Sequence, residues 1–286
     1  MLLMLYSLSA TRSENLQDYA HVSSAWLAEI RSALRRSENP CHDEDYELYQ
    51  SLDLLMVDFS RITSIASTFD VLRADSEKSG EQRKLLSDLS SKIESTLSRN
   101  EACLASWNTK MHQTRLSPWR SNPSHRLRME ISDDDEIHCL HEVLVFDNML
   151  VYHAITIYWT MVISLHTLAI NLLHRTAQSH QQKKIYLHSD HSHIISNHRR
   201  RLMTYAHAVI RTIPYATDAA NSAAAPFALT TAFRLTLQVL DREIAFRTTG
   251  DAGEGNDSAA VLQECQKLRA LALRYLEWTM REEIPI

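Results

Sequence analysis

The sequence predicts an all-α protein, a single large multi-helix bundle around one buried apolar helix. Three observations predict it. Residues 143–173 read VLVFDNMLVYHAITIYWTMVISLHTLAINLL, and from Met149 to Leu165 no side chain is charged, so the stretch is apolar nearly all round, as in a helix enclosed by other helices. The chain holds only four glycines, Gly80, Gly250, Gly253 and Gly255, against an average usage of about 7%. Hairpins, phosphate-cradling loops and dinucleotide folds all need glycine at turns or close backbone approaches, so over most of the chain these are excluded. Elsewhere apolar residues recur every three to four positions, the helical period.

Taken in order, the N-terminal MLLMLYSLSA lacks the basic region of a secretion signal and reads as the first turns of a helix. A second helix follows with Val22, Trp26, Ile30 and Leu34 spaced by four; Arg31, Arg35 and Arg36 suit its C-terminal end, and Asn39-Pro40 stops it. The acidic stretch His42 to Glu47 opens a third, whose inward positions are Leu52, Leu55, Met56, Phe59 and Ile62. These three form one antiparallel unit. The most regular helix comes after Gly80, with Leu85, Leu89, Ile93, Leu97, Leu104, Trp107 and Met111 on one side.

A connecting loop is expected over 114–136, marked by Pro118 and Pro123, by the arginines Arg115, Arg120, Arg126 and Arg128, and by the acidic run Asp133, Asp134, Asp135 and Glu136. The central apolar stretch comes next. A membrane span needs about 20 predominantly apolar residues, whereas Asp147 and Asn148 at one end and His166 and Asn171 at the other leave 17 positions, 149 to 165, between the nearest polar groups. His153 and Thr156 interrupt even those, and no Lys/Arg cluster flanks them. A buried core helix is the reading.

A polar, histidine-rich loop is expected over 174–198, then a helix from Arg199 to Arg211 buried through Leu202, Ala206, Val209 and Ile210 and ended or kinked by Pro214. Asn221 to Arg247 reads as a helix with Pro226 near its first turn and Phe233, Leu237 and Leu240 inward. GDAGEGND marks a last loop, 248–258, and Val261, Cys265, Leu268, Ala272, Tyr275 and Thr279 trace the closing helix, widened by Leu271 and Trp278.

Composition narrows function. With 44% hydrophobic and 23% charged residues the chain is globular, and its net charge of −5 gives no field to draw in a nucleic-acid backbone. Cys41, Cys103, Cys139 and Cys265 lack the paired spacing of zinc or redox motifs and read as reduced thiols of an intracellular protein. His188, His191 and His193 with Asp190 have metal-ligand chemistry, as do His138, Cys139, His141 and Glu142, but the first group reads as a solvated stretch and the second as a helix start. Arg199, Arg200 and Arg201 read as a solvated helix start.

Asp133–Glu136 resembles the aspartate-rich box of helical terpene synthases, where carboxylates bind magnesium and through it a substrate diphosphate. Asn256, Asp257 and Glu264 resemble the second box, but its middle hydroxyl position is Ala260. Magnesium demands near-octahedral oxygen ligation, so that departure counts against a magnesium-dependent enzyme, which stands as the alternative reading. Carboxylates at a helix N-terminus account for the acidic run. No catalytic, cofactor-binding or metal residue is assigned.

Four stretches, LLMLYSLSATRSENL with EIRSALRRSE, HDEDYELYQSLDLLMVDF, FDNMLVYHAITIYWTMVISL with its aromatic pair Tyr158 and Trp159, and VIRTIPYATDAANSAAAPFALTTAFR, resemble in order the large helical regulatory domain of fungal zinc binuclear cluster transcription factors, especially the secondary-metabolism type. The resemblance spans nearly the whole chain, 1–286. It implies a nuclear transcription-regulator-like domain working through a protein partner or homodimer, with a small-molecule effector pocket among its helices. The six-cysteine zinc cluster that reads DNA in the family is absent from this chain, so the resemblance implies no direct nucleic-acid contact, no cofactor and no catalysis.

Overall fold

The structure, a computed structural model, describes residues 52, 54–59, 61–62, 64–66, 79–117, 143–144, 146, 149–180, 188–217, 224–249 and 256–281. The helices expected before residue 52 and most of the loop expected over 114–136 lie outside the described residues. Among those described the chain is all-α. Six helices are present: α1 Ser79–Arg115, α2 Met149–His180, α3 His188–Ile210, the short α4 Ile213–Thr217, α5 Ala224–Thr248 and α6 Asn256–Arg281. A helical stretch within 52–66 precedes them. Among the described residues the one extended feature is a two-residue antiparallel contact of β1 Leu116–Ser117 with β2 Val143–Leu144, pairing Leu116 with Leu144 and Ser117 with Val143.

The described chain forms two compact units. One takes the residues up to Met111 together with Ser164–Arg199, the other His112–Ile163 with Arg200–Ile286, so α2 and α3 each contribute residues to both.

The first unit rests on α1. Leu89, Ile93 and Leu97 are buried on it at the spacing the sequence predicts, and Leu52, Leu55 and Ile62 are buried in the 52–66 stretch. Arg99 of α1 pairs with Asp58 of that stretch. Asn100, also buried, donates its amide to the Thr96 carbonyl one turn back at 2.7 Å.

In the second unit α2 is enclosed on nearly every side. Tyr152, Ala154, Ile155, Thr156, Tyr158, Trp159, Thr160, Met161, Val162 and Ile163 are all buried. Its threonines are tolerated because each returns its hydroxyl to the helix: Thr156 Oγ1 donates to the Tyr152 carbonyl, and Thr160 Oγ1 donates to that of Thr156 at 2.8 Å. Among the described residues α2 is the one helix long and apolar enough to cross a membrane, and 67% of its most apolar window is buried in protein.

Three expected boundaries move. The helix begins at Met149, and Val143–Leu144 instead forms β2, with the Leu144 amide donating to the Arg211 carbonyl at 3.1 Å. The loop expected over 174–198 is largely helix, since α2 continues to His180 and α3 starts at His188. Histidines read as polar by periodicity, yet His198 is buried on α3 because its ring nitrogens are satisfied inside the protein. The last loop is likewise shorter than 248–258: α5 runs to Thr248 and α6 starts at Asn256.

After α3 the backbone turns at Arg211 and Thr212 into α4, with Pro214 in its first turn, where a missing N–H goes unnoticed. The Thr212 hydroxyl donates to the Val209 carbonyl at 2.7 Å, closing the last turn of α3. Tyr152, Phe146 and Tyr215 meet beside this turn, with ring centroids 5.1 to 5.3 Å apart. Burial, then the neighbouring phenols Tyr275 and Tyr215, push the Tyr152 phenol well above its usual range, so it stays neutral, with the Thr212 side chain as hydrogen-bond partner. α5 and α6 complete the unit. Phe233 stacks on Tyr275 at 4.4 Å, and Cys265, Leu268, Leu271, Ala272, Tyr275, Trp278 and Thr279 are buried along the predicted face of α6.

Candidate functional site

Helical period places Glu94 and Glu101 seven residues apart on α1, two turns along one side of the helix. His166 lies on α2 and His198 on α3. In the first unit these four side chains join into one hydrogen-bonded chain. His198 Nε2 is 2.8 Å from Glu94 Oε1, His198 Nδ1 is 2.8 Å from His166 Nδ1, and His166 Nε2 is 3.2 Å from Glu101 Oε1. Both imidazoles are buried, at 1% and 3% exposure, while the Glu94 side chain is half exposed and that of Glu101 only 15%. The result is a polar thread that ties three helices and reaches solvent at its Glu94 end.

Each histidine thus has a carboxylate on one ring nitrogen and the other histidine on the second. The carboxylates favour N–H on the Nε2 side, since an ionised carboxylate accepts only. Burial first, then the His198 charge, push the His166 imidazole down to about 3, against a smaller opposing pull from Glu94. Burial therefore favours the neutral imidazole at His166.

The arrangement can hold and share protons; it is not a metal cage. Tetrahedral zinc holds imidazole nitrogens at about 2.0–2.1 Å, which sets two ligating nitrogens about 3.3 Å apart. The observed 2.8 Å between the facing Nδ1 atoms is a hydrogen-bond distance. Among the described residues no group of three or more His, Cys, Asp or Glu side chains is placed to hold a metal ion.

The residues singled out by sequence do not assemble here. Asp133–Glu136 and the group His138, Cys139, His141 and Glu142 lie outside the described residues. Asn256, Asp257 and Glu264 fall on the first turns of α6, where Glu264 is half exposed and sits 3.9 Å from His207 Nδ1 of α3. His188, Asp190, His191 and His193 form the first turns of α3 rather than a loop, with His193 exposed. Arg199–Arg201 lie within α3 rather than at its start. Cys265 is a buried free thiol, raised to about 11 mainly by burial and next by the Glu243 charge, and is a poor nucleophile.

Sequence reasoning missed all four members of the chain. His166 served only to bound the apolar run, and His198 fell in an expected loop. The available signal was the pair Glu94 and Glu101 at a seven-residue interval beside the stripe Leu89, Ile93, Leu97, together with a histidine inside the most apolar helix of the protein. No family model, curated protein or solved structure matches the chain.

Proposed function

We propose that this chain is a regulator-type helical domain, akin to the regulatory domain of fungal zinc-cluster transcription factors; its 286 residues contain no six-cysteine cluster. It acts in the nucleus through a protein partner, a second copy of itself or a small-molecule effector. The observation that carries the reading is the order in which the four resembling segments follow one another along nearly the whole chain, and one of them, the Val209-to-Tyr215 stretch VIRTIPY, can be followed in the fold. That stretch makes the sharp turn from α3 into α4, and Val209, Ile210, Thr212, Ile213 and Tyr215 are all buried there. A resembling segment that occupies a buried turn is one whose side chains the packing restricts, so its likeness says more than apolar residues along an ordinary helix do. The buried pair Tyr158 and Trp159 on α2 supports the same reading. An effector in such a domain works by binding one helix packing more tightly than another.

The test is to fuse the full chain to a heterologous DNA-binding module upstream of a reporter, and to follow a fluorescently tagged copy in fungal cells. The expected result is nuclear signal and reporter output different from that of the module alone. Exclusion from the nucleus with unchanged output overturns the proposal, as does turnover of a prenyl diphosphate with magnesium by the purified chain.

A further inference from the structure

Proton counting makes the Glu94–His198–His166–Glu101 chain more than a packing detail. Three hydrogen bonds link four groups, and each bond contains one proton, wherever along the chain that proton resides. Two neutral histidines and two ionised glutamates supply only two. In that state either two Nδ1 lone pairs face each other across 2.8 Å between buried rings, or an imidazole lone pair faces a carboxylate; both arrangements are repulsive. The fully bonded chain therefore holds three protons and a net charge of −1.

We propose that this chain is a proton-gated clasp joining α1, α2 and α3, closed when the two histidines share a single extra proton and opened by either losing that proton or gaining another. Glu94 and Glu101 from α1 face the imidazoles from α2 and α3. Both carboxylates attract the extra proton, each through the ring nitrogen it touches.

The sign follows from comparing protons bound in the two states. Above the ordinary histidine value of about 6.5, the unfolded chain carries neutral imidazoles and the folded clasp holds one proton more. Stability then falls as pH rises and that proton is withdrawn. Below about 6.5 the unfolded imidazoles both become charged, whereas His166 in the folded protein resists protonation down to about 3. Stability then falls as pH drops. The clasp is strongest near the ordinary histidine value and weakens on both sides, a property that the regulator reading neither requires nor supplies.

The test uses the full chain with isotope-labelled histidine. Nuclear magnetic resonance should detect scalar coupling between His166 Nδ1 and His198 Nδ1 through their shared proton near pH 6.5, fading at alkaline pH. In denaturant titrations the unfolding equilibrium should move by up to about tenfold per pH unit on either side of the maximum. Glu101→Gln keeps an acceptor oxygen and removes a charge, so its alkaline limb should begin at lower pH; His198→Gln should flatten both limbs. Absence of the coupling at every pH where the protein is folded overturns the clasp, and that measurement stands even where a variant fails to fold. A pH dependence of His198→Gln identical to that of the parent also overturns it, as does zinc that abolishes the coupling while stabilising the fold. None of these outcomes bears on nuclear localisation or reporter output.

Discussion

Thr236 on α5 is fully buried, and its hydroxyl has no hydrogen-bond partner among the described residues. Thr156, Thr160 and Thr217 solve the same problem by donating to a carbonyl one turn back. A buried hydroxyl without a partner carries a desolvation penalty of about 1–3 kcal/mol, so Thr236→Val, which keeps the shape, should raise stability by about 1 kcal/mol in urea titrations. A loss of stability would mean that the hydroxyl is bonded. Cys265 makes the complementary point about reactivity. Its thiol is enclosed and raised to about 11, so at mildly alkaline pH a thiol reagent should modify Cys265 only as fast as the protein opens, with labelling mapped to that residue by peptide mass spectrometry. Immediate modification in the native state would contradict its burial.

At the scale of elements, α5 and α6 show which interactions hold a helix pair. Leu268, Leu271, Ala272 and Tyr275 form an enclosed seam on α6, whereas Arg269 reaches Asp241 of α5 at 2.5 Å with both side chains about half exposed. Burial outweighs that ion pair. Leu271→Ala should lower stability by about 2–5 kcal/mol, and Arg269→Ala by less than about 1 kcal/mol, because water and salt screen exposed charges. Reversal of that order in matched denaturation curves would place the energy of the pair in charge rather than in packing. The face of α6 was fully legible in sequence because one helix side repeats apolar residues from Cys265 to Thr279 without a break. The start of α3 was not. His188 to His198 reads as a polar loop, and the partner that lets His198 be buried, His166, lies on another helix.

Across the whole molecule, the buried His166 and the partly exposed His207 shape the response to acid. Burial holds His166 at about 3 and lowers His207 against a smaller opposing pull from Glu264. In both, the folded chain takes up the proton at lower pH than the unfolded chain does, so each group withdraws stability as pH falls below about 6.5, His166 by up to about tenfold in the unfolding equilibrium per pH unit. His207→Gln should make the acid side of the stability profile shallower without moving its alkaline side; an unchanged acid slope would mean that His207 titrates normally. The sequence by itself determined the helical class, the enclosure of Tyr152 to Leu165, and the inward faces of α1 at Leu89, Ile93 and Leu97, of α5 at Phe233 and Leu240, and of α6 from Cys265 to Thr279. Each of these follows from the period at which one helix must hide apolar surface, a property that a single segment carries alone. Only the tertiary structure decided that Glu94, Glu101, His166 and His198 form one chain. A charged or ambivalent side chain reads as solvated until a partner from a distant segment satisfies it, and hydrogen bonds across 65 and 104 positions of sequence leave no local period to detect.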